Sequence, residues 1–141
     1  MRILALESSC DETAAAVVEN GRTVLANVVL SQIAAHRPYG GVVPEIACRA
    51  HLEEMSAIVA EALAQSKMTF SDLDGIAVTH GPGLASSLLM GISTAKALAM
   101  ATGLPLYPIN HLHGHIASVF LGEEAPEPSE SCPMLLLLAT G

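Results

Sequence analysis

The sequence predicts a mixed α/β fold: one sheet of both antiparallel and parallel strands, with helices on its faces. The first strands are joined by the hairpin turn Asn20-Gly21, which makes that part of the sheet antiparallel. Helices and strands then alternate, which is typical of parallel strands. A hydrophobic content of 51% against 14% charged residues indicates a buried core, and 141 residues are enough for one domain.

The antiparallel part begins at the amino terminus. Residues 2–7 contain the apolar run Ile-Leu-Ala-Leu, which predicts a buried strand, and a polar turn follows at 8–12. Residues 13–19 and 22–30 lie on either side of the Asn-Gly turn and predict the two arms of a hairpin. The next segment is predicted as a loop because it contains Pro38, Gly40, Gly41 and Pro44.

The alternating part has apolar residues at helical spacing between short apolar runs. Its predicted elements are a helix over 44–65, a strand over 73–79, a helix over 84–100 ended by Gly103, a strand over 104–109 and a helix over 111–120. The second of these helices is rich in small residues. That composition predicts close packing against the sheet, although a surface for a partner has the same composition.

The last twenty residues predict a change of domain. Residues 122–133 are acidic and contain prolines, which favours a linker, and 134–138 are an apolar run typical of a buried strand. We therefore expect a first domain over 1–121, a linker over 122–133 and the start of a truncated second domain over 134–141. On this interpretation the chain is the front portion of a larger protein.

Composition limits the possible functions. The formal net charge is −8 and aromatic residues are scarce, so a nucleic-acid partner would need basic surface from elsewhere. The three cysteines have no Cys-x-x-Cys spacing, which favours free thiols in a reducing compartment over a disulfide framework or a cysteine-based zinc site. No apolar run approaches the roughly 18 residues of a membrane span. These features predict a cytoplasmic protein that does not enter a membrane.

His111 and His115 are the strongest chemical signal. Residues four apart on a helix share a face, so both imidazoles can approach one zinc or iron ion. In metalloproteases a glutamate follows the first histidine, but here the residue is Leu112, which argues against protease chemistry. His113 should point away from the pair. Histidines that serve only packing or the surface can have the same spacing.

Two further loops are predicted at the same rim of the sheet, where α/β proteins place ligands. Residues 8–12 offer hydroxyl groups, including that of Ser9, backbone N–H groups and the Asp11 carboxylate, which suit a phosphate or a metal-bound water. An ordinary polar turn explains that loop equally well. Residues 81–83, Gly-Pro-Gly before a helix, predict either an anion site or a tight turn that needs glycine. Cys10 has no basic neighbour and is not expected to be a nucleophile.

Taken together, the motifs resemble the bacterial branch of the tRNA threonylcarbamoyladenosine transferase family, formerly misnamed O-sialoglycoprotein endopeptidases. The resemblance covers essentially the whole chain. The family fold is similar to actin, sugar kinases and chaperone ATPases, with two related domains around a nucleotide cleft. Its markers in this chain are Glu7-Ser8-Ser9-Cys10-Asp11-Glu12-Thr13, Tyr39-Gly40-Gly41-Val42-Val43-Pro44-Glu45 with His51, Gly81-Pro82-Gly83-Leu84, and Asn110-His111 with Gly114-His115.

The resemblance implies a set of site residues. His111 and His115 would ligate one divalent metal ion, iron or zinc, with an aspartate ligand beyond this chain. Asp11 would lie near the metal and the reacting group as the catalytic residue, with Ser9 as a substrate-binding residue. A phosphate loop would begin at the carboxyl end, with substrate-binding residues Leu138, Ala139, Thr140 and Gly141.

The implied reaction is transfer of a threonylcarbamoyl group from threonylcarbamoyl-adenylate to the N6 amine of adenosine 37, in tRNAs that read codons beginning with A. The cleft would also take an ATP- or ADP-type nucleotide. Expected partners are tRNA, a same-fold paralogue that forms a heterodimer, and an accessory ATPase. Residues 1–141 alone are expected to be inactive.

Two alternatives come from other classes. A non-catalytic scaffold of the same fold would serve as a dimerisation partner, but such paralogues lack the paired histidines. An ATP-hydrolysing chaperone or sugar kinase would use carboxylates and Mg²⁺ in the equivalent cleft and would not need two imidazoles.

Overall fold

The computed structural model describes residues 1–122, 124–131, 133–135 and 137. The mixed α/β fold is confirmed, since five strands form one sheet in the order β3-β2-β1-β4-β5. Their bounds are β1 Arg2–Glu7, β2 Glu12–Glu19, β3 Thr23–Ser31, β4 Gly75–Gly81 and β5 Leu106–Asn110. Strand β1 pairs antiparallel with β2 and parallel with β4, so it lies where the two halves of the sheet meet.

The hairpin between β2 and β3 follows directly from the sequence. Asn20 and Gly21 have φ values of 54° and 70°, the left-handed pair that a tight two-residue hairpin turn requires. An irregularity between Val17 and Val18 shifts the register of the two arms. The predicted strands at 2–7, 13–19 and 22–30 agree with the observed ones to within one residue.

Two long helices cover one face of the sheet. Helix α2 (Pro44–Ser66) packs against β2, β3 and helix α3 (Ala85–Thr102), and α3 also packs against β4. The core between these layers is aliphatic, as the scarcity of aromatic residues requires. Its most buried large members are Leu4, Val17, Met55 and Ile76. Helix α4 (His111–Ser118) follows β5 and contacts β4 and β5.

The opposite face of the sheet borders an open cleft of about 620 Å³. Alanines of three strands line it on one side and α4 lines it on another. Because alanine side chains are short, this face leaves room above the sheet. The cleft reaches the end of β1 at Glu7, where the candidate site begins.

The predicted loop before α2 and the predicted end of the last helix need correction. The segment before α2 is not simply a loop, since it contains α1 (Ile33–His36) and a 3₁₀ turn at Arg37–Tyr39. Its buried His36 binds the backbone N–H of Val43, which folds the segment into turns. The last predicted helix ends at Ser118, not at residue 120.

The predicted linker at 122–133 contains a short helix, α5 (Pro128–Ser131). It is also attached to the hairpin, because Gly122 donates to the Arg22 carbonyl oxygen at 3.0 Å and the Arg22 guanidinium contacts Glu127. In the predicted strand at 134–138, Met134, Leu135 and Leu137 lie outside regular structure and are exposed. Leu136 and Leu138 are outside the described residues. A buried strand needs neighbouring strands, and none pairs with those three residues.

Within the described residues, no helix has the length and apolar character needed to cross a membrane.

Candidate functional site

The candidate site lies at the rim where β1, β4 and β5 end. The three loops singled out in the sequence, 8–12, 81–83 and 110–115, meet there. Ser9 contacts both of the others: its Oγ lies 3.3 Å from His111 Nδ1, and its carbonyl oxygen accepts the Leu84 N–H at 2.7 Å. Parallel strands end at the same edge of a sheet, and this is the physical reason for the convergence.

The paired histidines are positioned by the cap of α4. Asn110 is the last residue of β5, and its Oδ1 accepts the N–H groups of Leu112 at 2.9 Å and His113 at 3.3 Å. This bond starts the helix immediately after the strand. His111 is therefore in the first turn and His115 one turn later, both partly buried, while the His113 side chain is exposed.

The two imidazoles face each other. Their Nε2 atoms are 3.0 Å apart, and the rings are nearly perpendicular at 80° with centroids 4.5 Å apart. Two nitrogens that bind a tetrahedral zinc ion at about 2.1 Å are about 3.4 Å apart, so 3.0 Å is slightly shorter than that separation and is also the length of an N–H···N hydrogen bond. The two Nε2 atoms thus converge closely enough to bind one ion after a small rotation of the rings. Among the residues that the structure describes, no group of three or more potential metal ligands forms.

Glu7 is the functional candidate that the sequence reasoning missed. Its Oε2 lies 3.3 Å from His111 Nδ1 and accepts the Thr79 hydroxyl, and its Oε1 accepts the Ser9 N–H at 2.5 Å. A carboxylate on Nδ1 orients the ring and leaves Nε2 free for a metal. The available signal was a charged residue at the end of a buried strand, directly before the rim loop 8–12.

The charge of Glu7 is stabilised despite its burial. Burial by itself raises the pKa of this carboxyl group, but the hydrogen bonds from Ser9 and Thr79, together with the neighbouring His111, hold the pKa below its ordinary value. Glu7 is therefore an anionic acceptor for the His111 ring. This supports the orientation in which the His111 Nδ1–H donates to Glu7.

Asp11 lies in the same cleft as the histidine pair. The cleft is about 220 Å³ and is lined by Glu7, Ser9, Cys10, Asp11, Glu12, His111 and His115. Burial and the adjacent Asp11 raise the pKa of the Cys10 thiol. A raised pKa reduces the thiolate fraction, so Cys10 is unsuited to act as a nucleophile. Leu138, Ala139, Thr140 and Gly141, the predicted substrate-binding residues at the carboxyl end, lie outside the described residues.

The Gly-Pro-Gly turn is explained by close packing. A Cβ atom at Gly83 would lie 2.5 Å from the Ser9 carbonyl oxygen and 2.8 Å from the Ser9 Cβ. The small residues of α3 act similarly: a Cβ atom at Gly91 would lie 2.4 Å from Ser8 Oγ, which donates to the Ser87 carbonyl oxygen at 2.9 Å. Small residues at these positions let β4 and α3 approach the loop that carries Ser9.

Gly83→Ala should destabilise the protein by about 2 kcal/mol, because the new methyl group meets backbone that cannot move independently. The matched control is Gly114→Ala in α4, where a Cβ atom meets nothing within 4 Å. That change should stabilise the protein by up to about 1 kcal/mol through helix propensity. Urea unfolding of both variants checks the difference, and equal midpoints would contradict the packing described for Gly83.

The sheet order, the helices on its faces and the loop rim define a domain of the actin-like ATPase fold. A solved structure with this fold, YeaZ from Pseudomonas aeruginosa, superposes with a TM-score of 0.57 at 22% identity, over 78% of this chain and 45% of that one. A family profile described as "TsaD: tRNA N6-adenosine threonylcarbamoyltransferase" matches residues 23–141, and the chain belongs to this family.

Two curated relatives named tRNA N6-adenosine threonylcarbamoyltransferase illustrate the similarity. The protein of Syntrophus aciditrophicus (strain SB) is 55% identical over 141 residues, which is all of this chain and 40% of the relative. The protein of Geobacter sp. (strain M21) is 61% identical over 126 residues, or 89% of this chain and 36% of the relative. The chain thus spans about 40% of the length of the curated relatives it matches.

Proposed function

We propose that this chain provides the first part of an enzyme that transfers a threonylcarbamoyl group to tRNA. The donor is threonylcarbamoyl-adenylate and the acceptor is the N6 amine of adenosine 37 in tRNAs that read codons beginning with A. The N6 nitrogen bonds to the carbamoyl carbon, the bond from that carbon to the phosphate oxygen breaks, AMP leaves with the electron pair, and N6 loses a proton. The observation that carries this proposal is the pair of imidazoles converging beside Asp11 in a member of this family.

His111 and His115 would hold one divalent ion, iron or zinc, through their Nε2 atoms. Their Nε2 atoms converge to 3.0 Å, close to the separation of two ligands of one ion, and imidazole suits both metals. When bound, the ion supplies a Lewis acid for the carbamoyl carbonyl group. Two protein ligands are fewer than either metal requires, so the remaining positions belong to groups outside the described residues or to water and substrate.

The other residues of the cleft would act around the pair. Glu7 would accept the Nδ1–H of His111 and so leave Nε2 available to hold the ion. Ser9, which contacts both Glu7 and His111, would bind substrate through its hydroxyl group. Asp11 would orient a water molecule or accept the proton that N6 loses. We propose that Leu138, Ala139, Thr140 and Gly141 begin the loop that binds the adenylate phosphate, in a cleft that also takes an ATP- or ADP-type nucleotide.

For the domain organisation, we propose a first actin-like domain over 1–121, a linker over 122–133 and the start of a second actin-like domain over 134–141. The contacts of Arg22 with Ala125 and Glu127 attach the linker to the first domain. The room above the alanine-lined face of the sheet is compatible with further chain packing there.

A same-fold paralogue is the proposed dimerisation partner, with tRNA and an accessory ATPase as further partners in the cytoplasm. Helices α2 and α3 carry exposed apolar side chains, with Leu52 68% and Leu89 55% exposed, and their outer face suits a heterodimer interface. Because this chain has a net charge of −8 and the tRNA backbone is also negative, most of the tRNA-binding surface must come from other segments or partners.

The function is tested by a transfer assay on the full-length protein that carries this segment. With the metal, tRNA, a source of threonylcarbamoyl-adenylate and the partner proteins, adenosine 37 should gain the threonylcarbamoyl group, detected by mass spectrometry of digested tRNA. Residues 1–141 in the same mixture should give no product, since they provide only part of the cleft. Failure of the full-length protein to modify tRNA would refute the proposed function. Product formed by residues 1–141 alone would show that the remainder of the protein is not required for transfer.

A further inference from the structure

Beneath the candidate site, four buried polar side chains form one hydrogen-bonded chain. Thr13 and His51 are 0% exposed, His36 is 4% exposed and Gln32 is 5% exposed. Thr13 lies in β2, Gln32 caps the start of α1, His36 is the last residue of α1, and His51 lies in the first half of α2. The sequence alone suggested no link between the two histidines, which are fifteen residues apart.

Backbone groups with fixed roles end the hydrogen-bonded chain. The Val43 N–H can only donate, and it donates to His36 Nδ1 at 3.3 Å. The Cys10 carbonyl oxygen can only accept, and it lies 3.0 Å from His51 Nε2. The neutral tautomer that satisfies both ends carries the proton on Nε2 of each ring and leaves Nδ1 as an acceptor.

The central bonds agree with the direction set at both ends. His36 Nε2–H donates to Gln32 Oε1 at 3.1 Å, and the Thr13 hydroxyl donates to His51 Nδ1 at 2.7 Å. The Gln32 amide lies 3.4 Å from both Thr13 Oγ1 and His51 Nδ1 and donates to them. Every donor meets an acceptor. When every hydrogen bond of a buried network is made, the network is rigid, because breaking any one bond leaves a buried polar group without a partner.

The hydrogen-bonded chain joins two walls around Asp11. At one end, Cys10 lies between Ser9 and Asp11 in the loop that lines the histidine cleft. At the other end, His36 belongs to the segment 33–42, which lines a second cleft of about 350 Å³ together with Asp11. The backbone N–H of Gln32 also donates to the Asp11 carbonyl oxygen at 2.9 Å. Asp11 thus lies between two clefts, and its backbone is held from both sides.

We infer that His51 is a positioning residue, which acts through Cys10 to fix Asp11 relative to the histidine pair. The conformation of segment 36–43 is coupled to His51 through the hydrogen bonds of His36, Gln32 and Thr13. His51 does not line the cleft and touches no reacting group. The inference rests on the proposed transfer reaction, because the role of Asp11 belongs to that reaction.

Thr13→Val tests the inference in the full-length enzyme with its metal and partners. Valine keeps the shape of threonine but removes the hydroxyl that donates to His51 Nδ1 at 2.7 Å, which leaves that atom only the longer 3.4 Å contact with the Gln32 amide. We expect kcat to fall on the order of tenfold, the scale of one broken buried hydrogen bond, with the KM for threonylcarbamoyl-adenylate and the metal content unchanged. Thr13→Ser should restore kcat, because the hydroxyl returns. Thr94→Val, the same exchange in α3 away from the site, should leave kcat unchanged.

A wild-type kcat in folded Thr13→Val overturns the inference, and so does an equal loss in Thr94→Val. If Thr13→Val does not fold, Gln32→Met interrupts the chain one step earlier, and a wild-type kcat there overturns the inference equally. Nitrogen-15 NMR of the histidine rings in the unmodified protein provides a readout that needs no activity. A proton on Nδ1 of His36 or His51 would overturn the positioning role of His51 without affecting the proposed function. Absence of transfer by the unmodified protein would count against the proposed function and not against the hydrogen-bonded chain.

Discussion

Replacing His111 or His115 with alanine should abolish metal retention and lower transfer by at least about 10³-fold, equivalent to about 4 kcal/mol of transition-state stabilisation. The reason is geometric. The two Nε2 atoms are 3.0 Å apart and converge on one position, so an ion bound there would use both nitrogens as ligands. With one imidazole, the described residues retain a single nitrogen ligand for the ion, which then exchanges with solvent.

The measurement pairs metal analysis of the purified full-length variants with the transfer assay. His113→Ala is the matched control, since it lies on the same helix with its side chain exposed, and it should retain both metal and activity. Circular dichroism should show unchanged helix content in all three variants. If His111→Ala keeps its metal content, the ion is held elsewhere and the assignment of the pair is wrong.

Glu7→Gln should lower metal affinity and transfer by about 10- to 100-fold, the effect typical of losing a carboxylate behind a metal-bound imidazole. Glutamine keeps the length of the side chain and an oxygen for His111, but it loses the negative charge that now faces Nδ1 at 3.3 Å. One of its two carboxylate oxygens also becomes an amide donor. That donor would face either the Ser9 N–H or the Thr79 hydroxyl, both of which now donate to Glu7.

Titration of the apo protein with Zn²⁺ or Fe²⁺ measures the affinity. Glu61→Gln provides the control, because Glu61 is an exposed residue of α2 whose partner is Gln65 on the same helix. It should match the unmodified protein in affinity and rate. Unchanged affinity in Glu7→Gln would show that the carboxylate does not support the His111 ring.

Local signals predicted most of the fold. The Asn20-Gly21 turn needs only its own backbone conformation, and β1 and β2 bury alternate apolar residues as their pattern indicates. The edge strand β3 buries only Ala26. The prediction of a simple loop before α2 was wrong, because His36 folds segment 33–39 by binding Val43 and this contact leaves no periodic pattern. The contacts of Arg22 with Gly122 and Glu127 were likewise not predictable from the sequence.

The sequence predicted the histidine pair of the candidate site but not the residues around it. The helical spacing of His111 and His115 follows from 3.6 residues per turn, so the shared face was available from the sequence. Glu7 was missed because its partners, Ser9, Thr79 and His111, come from three different strand ends. The buried link between His36 and His51 was missed for the same reason, since no spacing rule relates residues on α1, α2 and β2.

The sequence by itself determined the elements of this protein, its aliphatic core and the pair of imidazoles on one helix face, because those properties depend on near neighbours in the chain. The tertiary structure alone decided which groups surround the pair. It brought the Glu7 carboxylate to His111, set Gly83 against the backbone of Ser9 and joined Val43 to Cys10 through four buried side chains. Such contacts depend on which strands lie side by side, and that is settled only when the whole sheet is assembled.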